Sequence, residues 1–352
     1  MREFENITIF GAGAMGQTLA AWLTHAGRKV SLVARGENAR LLEKTRVRIL
    51  GNDKVVLSGT KVNVIERVDE ATNTDLLIIT VKNFDLDECC QQLVEHIDPE
   101  TLVLGLQNGI ANQTILPKFF SNVIYAISNY NAWQEPISKD LSGSSLDWRV
   151  NVNGPIILGT PDHHLRTVAK RLSKLFSTFI SCQYSARFLD DAYIKMVSNL
   201  VNSVTTIIGN SHNEYSSRIP LQIIVTEITY EGILVLEAAG IKPTSNGPLP
   251  PWWVVKLGRF LPGIITRPIF VRKMAMVGST SMASDILVKN TGKSELKFIN
   301  GALLELAQKH SVNTPYNQKL YELCQDRFDN QPFQTLAASD LLRYLSDDVS
   351  IN

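Results

Sequence analysis

The sequence predicts an α/β protein in which an N-terminal doubly wound sheet is followed by a mostly α-helical C-terminal domain. Short apolar strands alternate with helices in the first half, a glycine-rich turn follows the first strand, and long helical patterns fill the second half. The 352 residues suffice for two domains of ordinary size. We expect residues 1–185 to form the sheet domain and residues 186–352 the helical domain.

The first 35 residues carry a strand, a glycine turn, a helix and a second strand. Residues 7–10 are an apolar strand, residues 11–16 read Gly-Ala-Gly-Ala-Met-Gly, and residues 17–26 are helical. A second apolar strand at residues 30–34 completes the unit. This order is that of a Rossmann-type dinucleotide-binding domain.

Each glycine of the turn has its own physical reason. Gly11 makes the tight turn, Gly13 lets the backbone approach a pyrophosphate, and Gly16 lets the helix pack closely on the sheet. The helix N-terminus then presents free N–H groups and the positive end of its dipole to the phosphates. The predicted cofactor contacts in the turn are Gly11, Ala12, Gly13, Ala14, Met15 and Gly16.

The residue that follows the second strand predicts which dinucleotide is bound. NAD-binding proteins place an acidic residue there for the ribose hydroxyl, whereas this chain has Arg35. A guanidinium matches the oxygens of the additional 2′-phosphate of NADP. Glu37 is the alternative ribose contact, but it lies past the expected end of the strand. The predicted cofactor is therefore NADP(H).

The rest of the first half continues the alternation of strands and helices. Apolar strands are predicted at residues 62–64, 76–81, 102–106, 123–126 and 180–184, and helices at residues 85–96 and 165–179. Residues 141–158 are predicted to be irregular or hairpin structure, because glycine and serine interrupt them. The alternation indicates a parallel sheet with helices on both faces.

The second half is predicted to be helical, with an aromatic segment of a different character. Helices are predicted at residues 189–208, 220–239, 296–310 and 317–328. Residues 251–276 combine aromatic and basic side chains and are interrupted by prolines. No uncharged run there approaches the roughly 20 residues of a membrane-spanning helix, and no unbroken amphipathic repeat favours a membrane surface. A lid or a subunit contact is the favoured interpretation.

Composition argues against several classes of function. The formal net charge is +1, so nothing indicates nucleic-acid binding. The four cysteines show no CxxC spacing, and the neighbours His163 and His164 cannot both face one ion on regular structure, so no metal is predicted. Reduced thiols and the lack of a leader pattern at the N-terminus favour a cytoplasmic protein.

Polar side chains follow two of the predicted buried strands. Lys82 follows the strand at residues 76–81, and Asn108, with Gly109 after it, follows the strand at residues 102–106. The carboxyl ends of strands in a doubly wound sheet point at the ligand crevice, so both side chains can reach cofactor or substrate. The alternatives are a solvated surface lysine and a simple Asn-Gly turn.

The predicted helix at residues 189–208 carries a polar face. At about 100° per residue, Lys195, Asn199 and Asn202 fall within about 60° of one another, opposite a face of valine and isoleucine. Such a face is either solvated or lines a cleft. In a cleft, the amides can position a carboxylate or hydroxyl while the ammonium polarises a carbonyl.

The order of these motifs along the chain resembles that of a known family. Ser281 and Glu295 indicate little by themselves, since an acid ahead of an apolar helix also favours the helix N-terminus. The motifs are the glycine turn with Arg35, Val81-Lys82, Leu106-Gln107-Asn108-Gly109, Lys195 with Asn199, Thr280-Ser281-Met282 with Asp285, Glu295 ahead of Phe298-Ile299-Asn300-Gly301, and Asn313-Thr314-Pro315-Tyr316-Asn317. Their order resembles the ketopantoate reductase family, which reduces 2-dehydropantoate with NADPH in pantothenate synthesis.

The resemblance implies roles in the reaction for residues of the second half. Lys195 is implied to be the proton donor to the ketone, and Glu295 the acid that closes the site over the nicotinamide. Asn199 and Ser281 are implied to contact the substrate. Asn213 matches a substrate-binding position of the family by spacing alone.

The resemblance also implies contacts to the cofactor and shows where this chain departs from the family. Lys82 is implied to contact the cofactor, Asn108 to contact both cofactor and substrate, and Ala132 matches a cofactor position by spacing. The family places a second amide eight residues after the lysine, where this chain has Ser203. Its own amide is Asn202, about 100° away around the helix, so either residue can stand for that substrate contact.

The resemblance implies NADPH-dependent reduction of a 2-keto acid, with 2-dehydropantoate as the first candidate substrate. One alternative is the same reaction on another branched 2-keto acid or an opine-type precursor. Another is a non-catalytic NADP(H)-binding sensor that binds partners through Trp252-Trp253. A sensor, however, has no need of the polar set Lys195, Asn199, Ser281 and Glu295. The aromatic segment also predicts a homodimer.

Overall fold

The computed structural model describes residues 4–51, 55–71, 73–135, 145–152, 154–161, 163–209, 215–247, 249–261, 266–267, 270, 280–289, 292–330 and 332–347. The chain divides into two compact units, Met1–Leu189 and Asp190–Asn352. The first unit contains the strands and the second is helical, so the predicted α/β class with a helical C-terminal part is confirmed.

The described strands all lie in the first unit. In chain order they are β1 (Asn6–Phe10), β2 (Lys29–Val33), β3 (Arg46–Leu50), β4 (Val55–Thr60), β5 (Asn63–Ile65), β6 (Leu76–Ile79), β7 (Leu102–Gly105), β8 (Val123–Ile127), β9 (Tyr130–Gln134), β10 (Ser145–Val152), β11 (Ile156–Gly159) and β12 (Cys182–Tyr184). Eight of them form the main sheet, in the order β12-β11-β8-β7-β6-β1-β2-β5. The predicted strands at residues 7–10, 30–34, 76–81, 102–106 and 123–126 are confirmed within one to two residues at each end.

Two features of the sheets differ from the prediction. Strand β11 pairs antiparallel with β8, so the main sheet is mixed and not purely parallel. A second sheet, in the order β4-β3-β10-β9, was not predicted at all. Strand β10 lies in the stretch predicted to be irregular or hairpin structure and pairs parallel with β3, which is remote in the sequence. The residues around a strand do not indicate which remote strand it pairs with.

Five helices of the first unit lie between these strands. They are α1 (Ala14–His25), α2 (Gly36–Lys44), α3 (Asn83–Val94), α4 (Asn112–Ile115) and α5 (Arg166–Phe176). Helix α1 contacts β1 and β2 of the main sheet and also β3, β4 and β9 of the small sheet. Its residues from Gly16 to Leu23 are all buried, as expected for a helix covered by two sheets.

In the residues that the structure describes, the second unit contains helices and two π-helical turns. The helices are α6 (Phe188–Ser198, which begins in the last two residues of the first unit), α7 (Val201–Ile208), α8 (Arg218–Ala238), α9 (Trp252–Phe260), α10 (Ser281–Ala283), α11 (Ala302–Lys309), α12 (Pro315–Asp329) and α13 (Ala338–Ser346). The π turns are Ser284–Val288 and Lys297–Gly301. Helix α8 contacts α9, α11, α12 and α13, so it is the centre of the unit.

The single helix predicted over residues 189–208 is instead two helices. The chain tightens at Asn199 and Leu200, where the N–H of Leu200 bonds the Val197 carbonyl and the N–H of Asn202 bonds the Asn199 carbonyl. These three-residue spacings are typical of a 3₁₀ turn. Asparagine favours such local turns over helix interior positions. Angles measured along one straight helix therefore do not apply from Lys195 to Asn202.

Helix α9 forms the first part of the aromatic segment predicted at residues 251–276. The Lys256 ammonium lies 2.6 Å from a carboxylate oxygen of Glu237, and the Arg259 guanidinium 2.9 Å from Glu227, both on α8. These cations are therefore neutralised within the unit and are not presented to an anionic surface. The exposed side of the helix is apolar, with Trp253 and Phe260 about two thirds exposed.

Helix α8 is the one helix in the described part of the chain that is long and apolar enough to cross a membrane. Its Glu231 carboxylate is buried and accepts bonds of 2.9 Å from the backbone N–H groups of Tyr316 and Asn317 and of 2.8 Å from the Asn317 side chain. Burial raises the pKa of Glu231 against the opposing effect of these bonds. The carboxylate thus caps the N-terminus of α12. This contact ties α8 to α12, so the apolar character of α8 is that of a core helix.

We expect Glu231→Ala to lower the free energy of unfolding by about 2–4 kcal/mol, because it leaves three buried donors without an acceptor. Glu237→Ala, on the same helix, is the matched control and is expected to cost no more than about 1 kcal/mol, since it removes a half-exposed ion pair. Urea denaturation of both variants measures the difference. Equal stability of the two variants would contradict the capping role.

Candidate functional site

The glycine turn has the geometry that its sequence requires. Gly11 has a φ of +114°, and a Cβ there would lie 2.7 Å from Thr80 Oγ1. A Cβ on Gly16 would lie 1.8 Å from the Gly11 carbonyl oxygen, far inside contact distance. A side chain at position 16 would therefore push α1 away from the end of β1, and one at position 11 would push the turn away from Thr80.

Gly13 differs from the other two glycines because a Cβ placed on it meets nothing within 4 Å. It is the N-cap residue of α1, and the first turn of that helix contains no acidic side chain. The open space therefore lies beside unopposed helical N–H groups and the positive end of the helix dipole. These residues fit the pyrophosphate of a dinucleotide.

Arg35 follows β2 and is exposed at the N-cap position of α2. Its guanidinium carbon lies 5.9 Å from the ring centroid of Phe10, the last residue of β1, within the range of a cation–π contact. One guanidinium nitrogen donates to Gln92 Oε1 on α3 at 3.3 Å. Three elements therefore position the group that we expect to contact a 2′-phosphate.

The loops after β6 and β7 are tied together. Asn83 Nδ2 donates to the Asn108 carbonyl oxygen at 2.7 Å, and Gln107 Nε2 donates to the Ile79 carbonyl at 2.8 Å. Gly109 has a φ of +78°, so the turn expected from Asn-Gly is present. Since β1, β6 and β7 are parallel neighbours, the loops that carry Lys82 and Asn108 lie at the same sheet edge as the glycine turn. Asn83 and Gln107 were not singled out from the sequence.

Two further predicted contacts, Ala132 and Asn213, rest on spacing along the sequence alone. Ala132 lies on β9 of the small sheet, opposite Val150, and packs partly buried against the core of the first unit. Asn213 lies outside the described residues. Both assignments remain predictions from spacing.

Lys195 lies on α6 with its side chain half-buried. Burial lowers the pKa of its ammonium to about 8. No described residue forms a hydrogen bond or an ion pair with that ammonium. The carboxylate of Asp191, one turn earlier, instead accepts bonds from Thr244 at 2.5 Å and Asn246 at 3.3 Å. Helix α6 therefore carries a lysine whose pKa lies close to neutral pH.

The amides near Lys195 differ in accessibility. Asn199 is 8% exposed at the start of the break between α6 and α7, and Asn202 is half-buried on α7. Ser203 is fully buried, where its hydroxyl donates to the Leu200 carbonyl at 2.7 Å and accepts from Asn300 Nδ2 at 3.1 Å. Of the two alternatives for the second contact, Asn202 alone presents an accessible side chain.

The segments that carry Ser281 and Glu295 both adjoin α7. Helix α10 packs against α7, and its exposed first residue is Ser281. Glu295 is 3% exposed, and its carbonyl accepts bonds from the N–H groups of Phe298 and Ile299 at the start of the π turn Lys297–Gly301. Asn300 then joins that turn to α7. The second unit therefore gathers the segments that carry these predicted residues around one helix, although they are far apart in sequence.

The other chemically reactive groups give no competing site. In the described part of the chain, no group of three or more His, Cys, Asp or Glu side chains is arranged to hold a metal ion. All four cysteines are free thiols, and burial raises the pKa of Cys90 and Cys182 to about 12. Thiols of such high pKa are poor nucleophiles.

The fold and the glycine turn are those of the Rossmann-type dinucleotide-binding proteins, here with a helical second unit. Two family models match the chain, ketopantoate reductase PanE/ApbA over residues 7–156 and the corresponding C-terminal model over residues 187–327. The chain therefore belongs to the ketopantoate reductase family, and the resemblance inferred from the sequence is confirmed. Membership makes it an oxidoreductase of the type that acts on CH–OH groups with a nicotinamide cofactor.

Individual proteins agree with this assignment. The chain is 27% identical over 323 residues to 2-dehydropantoate 2-reductase of Lactococcus lactis subsp. lactis, over 90% of this chain and 96% of the relative. D-mandelate dehydrogenase with NADH and anilino(oxo)acetate has a TM-score of 0.70 at 23% identity, over 92% of this chain and 98% of that one. A dimeric ketopantoate reductase from Staphylococcus aureus has a TM-score of 0.64 at 18% identity, with coverages of 92% and 98%. The two structures show the shared fold.

Gly16→Ala is expected to lower the free energy of unfolding by at least about 2 kcal/mol, because its Cβ overlaps the Gly11 carbonyl. Gly13→Ala is the matched control and is expected to change stability by less than about 1 kcal/mol, since its Cβ meets open space. Denaturant unfolding of the two variants measures both values. A Gly16→Ala variant as stable as wild type would show that α1 does not need this close approach.

Proposed function

We propose that this protein reduces a 2-keto acid with NADPH, and that 2-dehydropantoate, which becomes pantoate in pantothenate biosynthesis, is its first candidate substrate. We further propose that it works in the cytoplasm and as a homodimer. The observation that carries the proposal is Lys195, a half-buried lysine whose ammonium has a pKa of about 8 and no carboxylate partner among the described residues. A general acid is most effective when its pKa lies near the working pH.

Lys195 acts first on the keto oxygen of the substrate. Its ammonium donates a hydrogen bond to that oxygen and stabilises the negative charge that develops there. The ammonium gives its proton to that oxygen once the carbonyl carbon has accepted a hydride, and the ketone has then become a hydroxyl. The lowered pKa makes this transfer easier than it would be for a lysine in water. When bound, NADPH supplies the two electrons and the hydrogen that complete the reduction.

The remaining polar residues of the second unit hold the substrate. Asn199 and Asn202 supply amide groups on either side of the break between α6 and α7, and Ser281 supplies a hydroxyl at the start of α10. Amide N–H and hydroxyl groups are suited to the carboxylate of a 2-keto acid. Glu295 is assigned to the nicotinamide side, where a buried carboxylate accepts hydrogen bonds from the cofactor or substrate hydroxyls.

The cofactor is assigned to the first unit. The glycine turn takes the pyrophosphate, Arg35 takes the 2′-phosphate, and Lys82 and Asn108 supply further contacts from the loops after β6 and β7. The basic residue after β2, in place of the acidic residue of NAD-binding proteins, supports NADP over NAD. Its cation–π contact with Phe10 supports a guanidinium that is held in place for a contact to phosphate oxygens.

A different 2-keto acid is the second candidate. The structural relative bound to NADH and anilino(oxo)acetate is a mandelate dehydrogenase, whose substrate carries an aromatic group. That protein shares the fold at a TM-score of 0.70, so this fold also serves substrates other than pantoate. The non-catalytic sensor is a third candidate, which an activity assay separates from both.

A panel of 2-keto acids tests the function. Purified protein is mixed with NADPH and 2-dehydropantoate, 2-oxoisovalerate or benzoylformate, and the loss of NADPH absorbance is followed. We expect turnover with at least one acid and the highest kcat/KM with 2-dehydropantoate. Turnover of another acid alone would replace the substrate, and binding of NADPH without turnover of any acid would favour the sensor.

Lys195→Ala is expected to lower kcat by about 10²–10⁴-fold without changing the affinity for NADPH, because it removes the proton donor alone. In wild type, kcat for reduction is expected to fall as the pH rises through about 8, since only the protonated ammonium can donate. Reduction rates between pH 6 and pH 10 (about two units on either side of this pKa) measure the profile. A kcat that stays constant to pH 10 would remove Lys195 from the role.

Arg35→Ala is expected to weaken NADPH binding by about 10–100-fold and to leave NADH binding unchanged, because it removes a charge-assisted contact to the 2′-phosphate. Arg46→Ala, an exposed arginine on β3, is the control for the change in net charge. Titration of intrinsic fluorescence with each cofactor measures the affinities. Equal affinity of the wild type for NADPH and NADH would contradict the assignment.

A further inference from the structure

The carbonyl oxygen of Ala12, inside the glycine turn, is held by two side chains. Gln17 Nε2 on α1 and Asn38 Nδ2 on α2 each donate to it at 2.8 Å. Both lone pairs of this oxygen are therefore used by side-chain amides. The orientation of the peptide group between Ala12 and Gly13 is thereby fixed.

Trp148, on β10 of the small sheet, holds one of these amides in turn. Its indole N–H donates to Gln17 Oε1 at 2.9 Å, across 131 residues of sequence. Gln17 Nε2 also lies 3.3 Å from Asn38 Oδ1. Gln17 and Trp148 are 4% and 7% exposed, so the bonds are shielded from water. Because an indole N–H can only donate and a carbonyl can only accept, the chemistry of the two ends fixes which way the Gln17 amide points.

The fixed carbonyl determines where the next N–H points. A trans peptide is planar, and its N–H lies opposite its C=O. With the Ala12 carbonyl held by Gln17 and Asn38, the N–H of Gly13 points to the opposite side of the peptide. Gly13 is also the glycine whose Cβ position is open for 4 Å.

We propose that Gln17, Asn38 and Trp148 are positioning residues for the dinucleotide, which hold the Ala12–Gly13 peptide so that its N–H is oriented in advance for the pyrophosphate. This inference rests on the proposed use of the glycine turn as the cofactor site. A donor that is already oriented costs no ordering when the ligand binds, so its hydrogen bond contributes more fully to affinity. The small sheet thereby has a function in binding as well as in packing.

Asn38 gives the network a second consequence. It lies on α2, three residues after Arg35, so its bond to Ala12 fixes the start of α2 relative to the phosphate turn. The group assigned to the 2′-phosphate and the backbone assigned to the pyrophosphate are thus held in one hydrogen-bonded arrangement. Loss of Asn38 should weaken NADPH binding through both contacts.

The test uses variants that each remove part of this network. Trp148→Phe keeps an aromatic ring in the core but removes the N–H, and Asn38→Ala removes one of the two donors to Ala12. Trp133→Phe, on the neighbouring strand β9 and 44% exposed, is the matched control. We expect each network variant to weaken NADPH binding by roughly three- to tenfold, the factor that corresponds to one hydrogen bond. The kcat at saturating NADPH and its pH profile should stay at wild-type values.

A double-mutant cycle separates positioning from mere stability. If the bonds act through the one Ala12 carbonyl, Trp148→Phe combined with Asn38→Ala should weaken binding by less than the product of the single effects. The melting temperature of every variant is measured in parallel. Wild-type affinity for NADPH in both single variants, or a lower melting temperature without a change in affinity, would overturn the inference. A wild-type protein that binds no NADPH would instead refute the proposed function.

Discussion

The close approach of helix α1 to the end of β1 is the constraint on which the first unit depends. A side chain at residue 16 would overlap the Gly11 carbonyl oxygen, so glycine alone allows the helix to begin where it does. The same approach places the first turn of the helix beside the strand end and leaves open space at Gly13. Because both sheets cover α1, its residues from Gly16 to Leu23 are buried and the helix has little freedom to shift. Core packing therefore determines where the backbone donors of the turn lie.

Glu231 and Lys195, two ionisable groups of the second unit whose pKa values burial shifts, have opposite surroundings. Glu231 accepts three hydrogen bonds from the start of α12, so its charge serves the architecture. Lys195 has no such partner among the described residues, since the nearby carboxylate of Asp191 is bonded to Thr244 and Asn246. A salt bridge to Asp191 would raise the pKa of the lysine, whereas burial alone lowers it to about 8. No ion pair stabilises the charged form of the lysine, so its proton is released more easily than that of a lysine in water. A pKa shifted in this way is typical of a catalytic group.

What the sequence could predict depended on how local the determining contact is. The glycine turn and β1 follow from residues within one short segment, and the motif order was enough to indicate the family. The small sheet was missed because β3 and β10 pair across about 100 residues, although the alternation of polar and apolar residues from Arg46 to Leu50 is a strand signal that was available. The break at Asn199 was missed because propensity is weak compared with tertiary packing. The contact between Trp148 and Gln17 could not be predicted, since nothing near either residue indicates the other.

The points at which this chain departs from its family bear on its substrate. Every 2-keto acid presents the same carbonyl and carboxylate, so a proton donor and a carboxylate contact do not distinguish one acid from another. Selectivity must come from groups that meet the rest of the molecule. The resemblance implies that Ser203 stands at the position of the family's second amide, and its hydroxyl is buried against Asn300. The neighbouring Asn202 therefore presents its amide from a different angle of α7, beyond a break in the helix. In the proposed reaction, a change of this kind would alter which substituent fits beside the keto group and would leave the proposed proton donor, Lys195, unchanged.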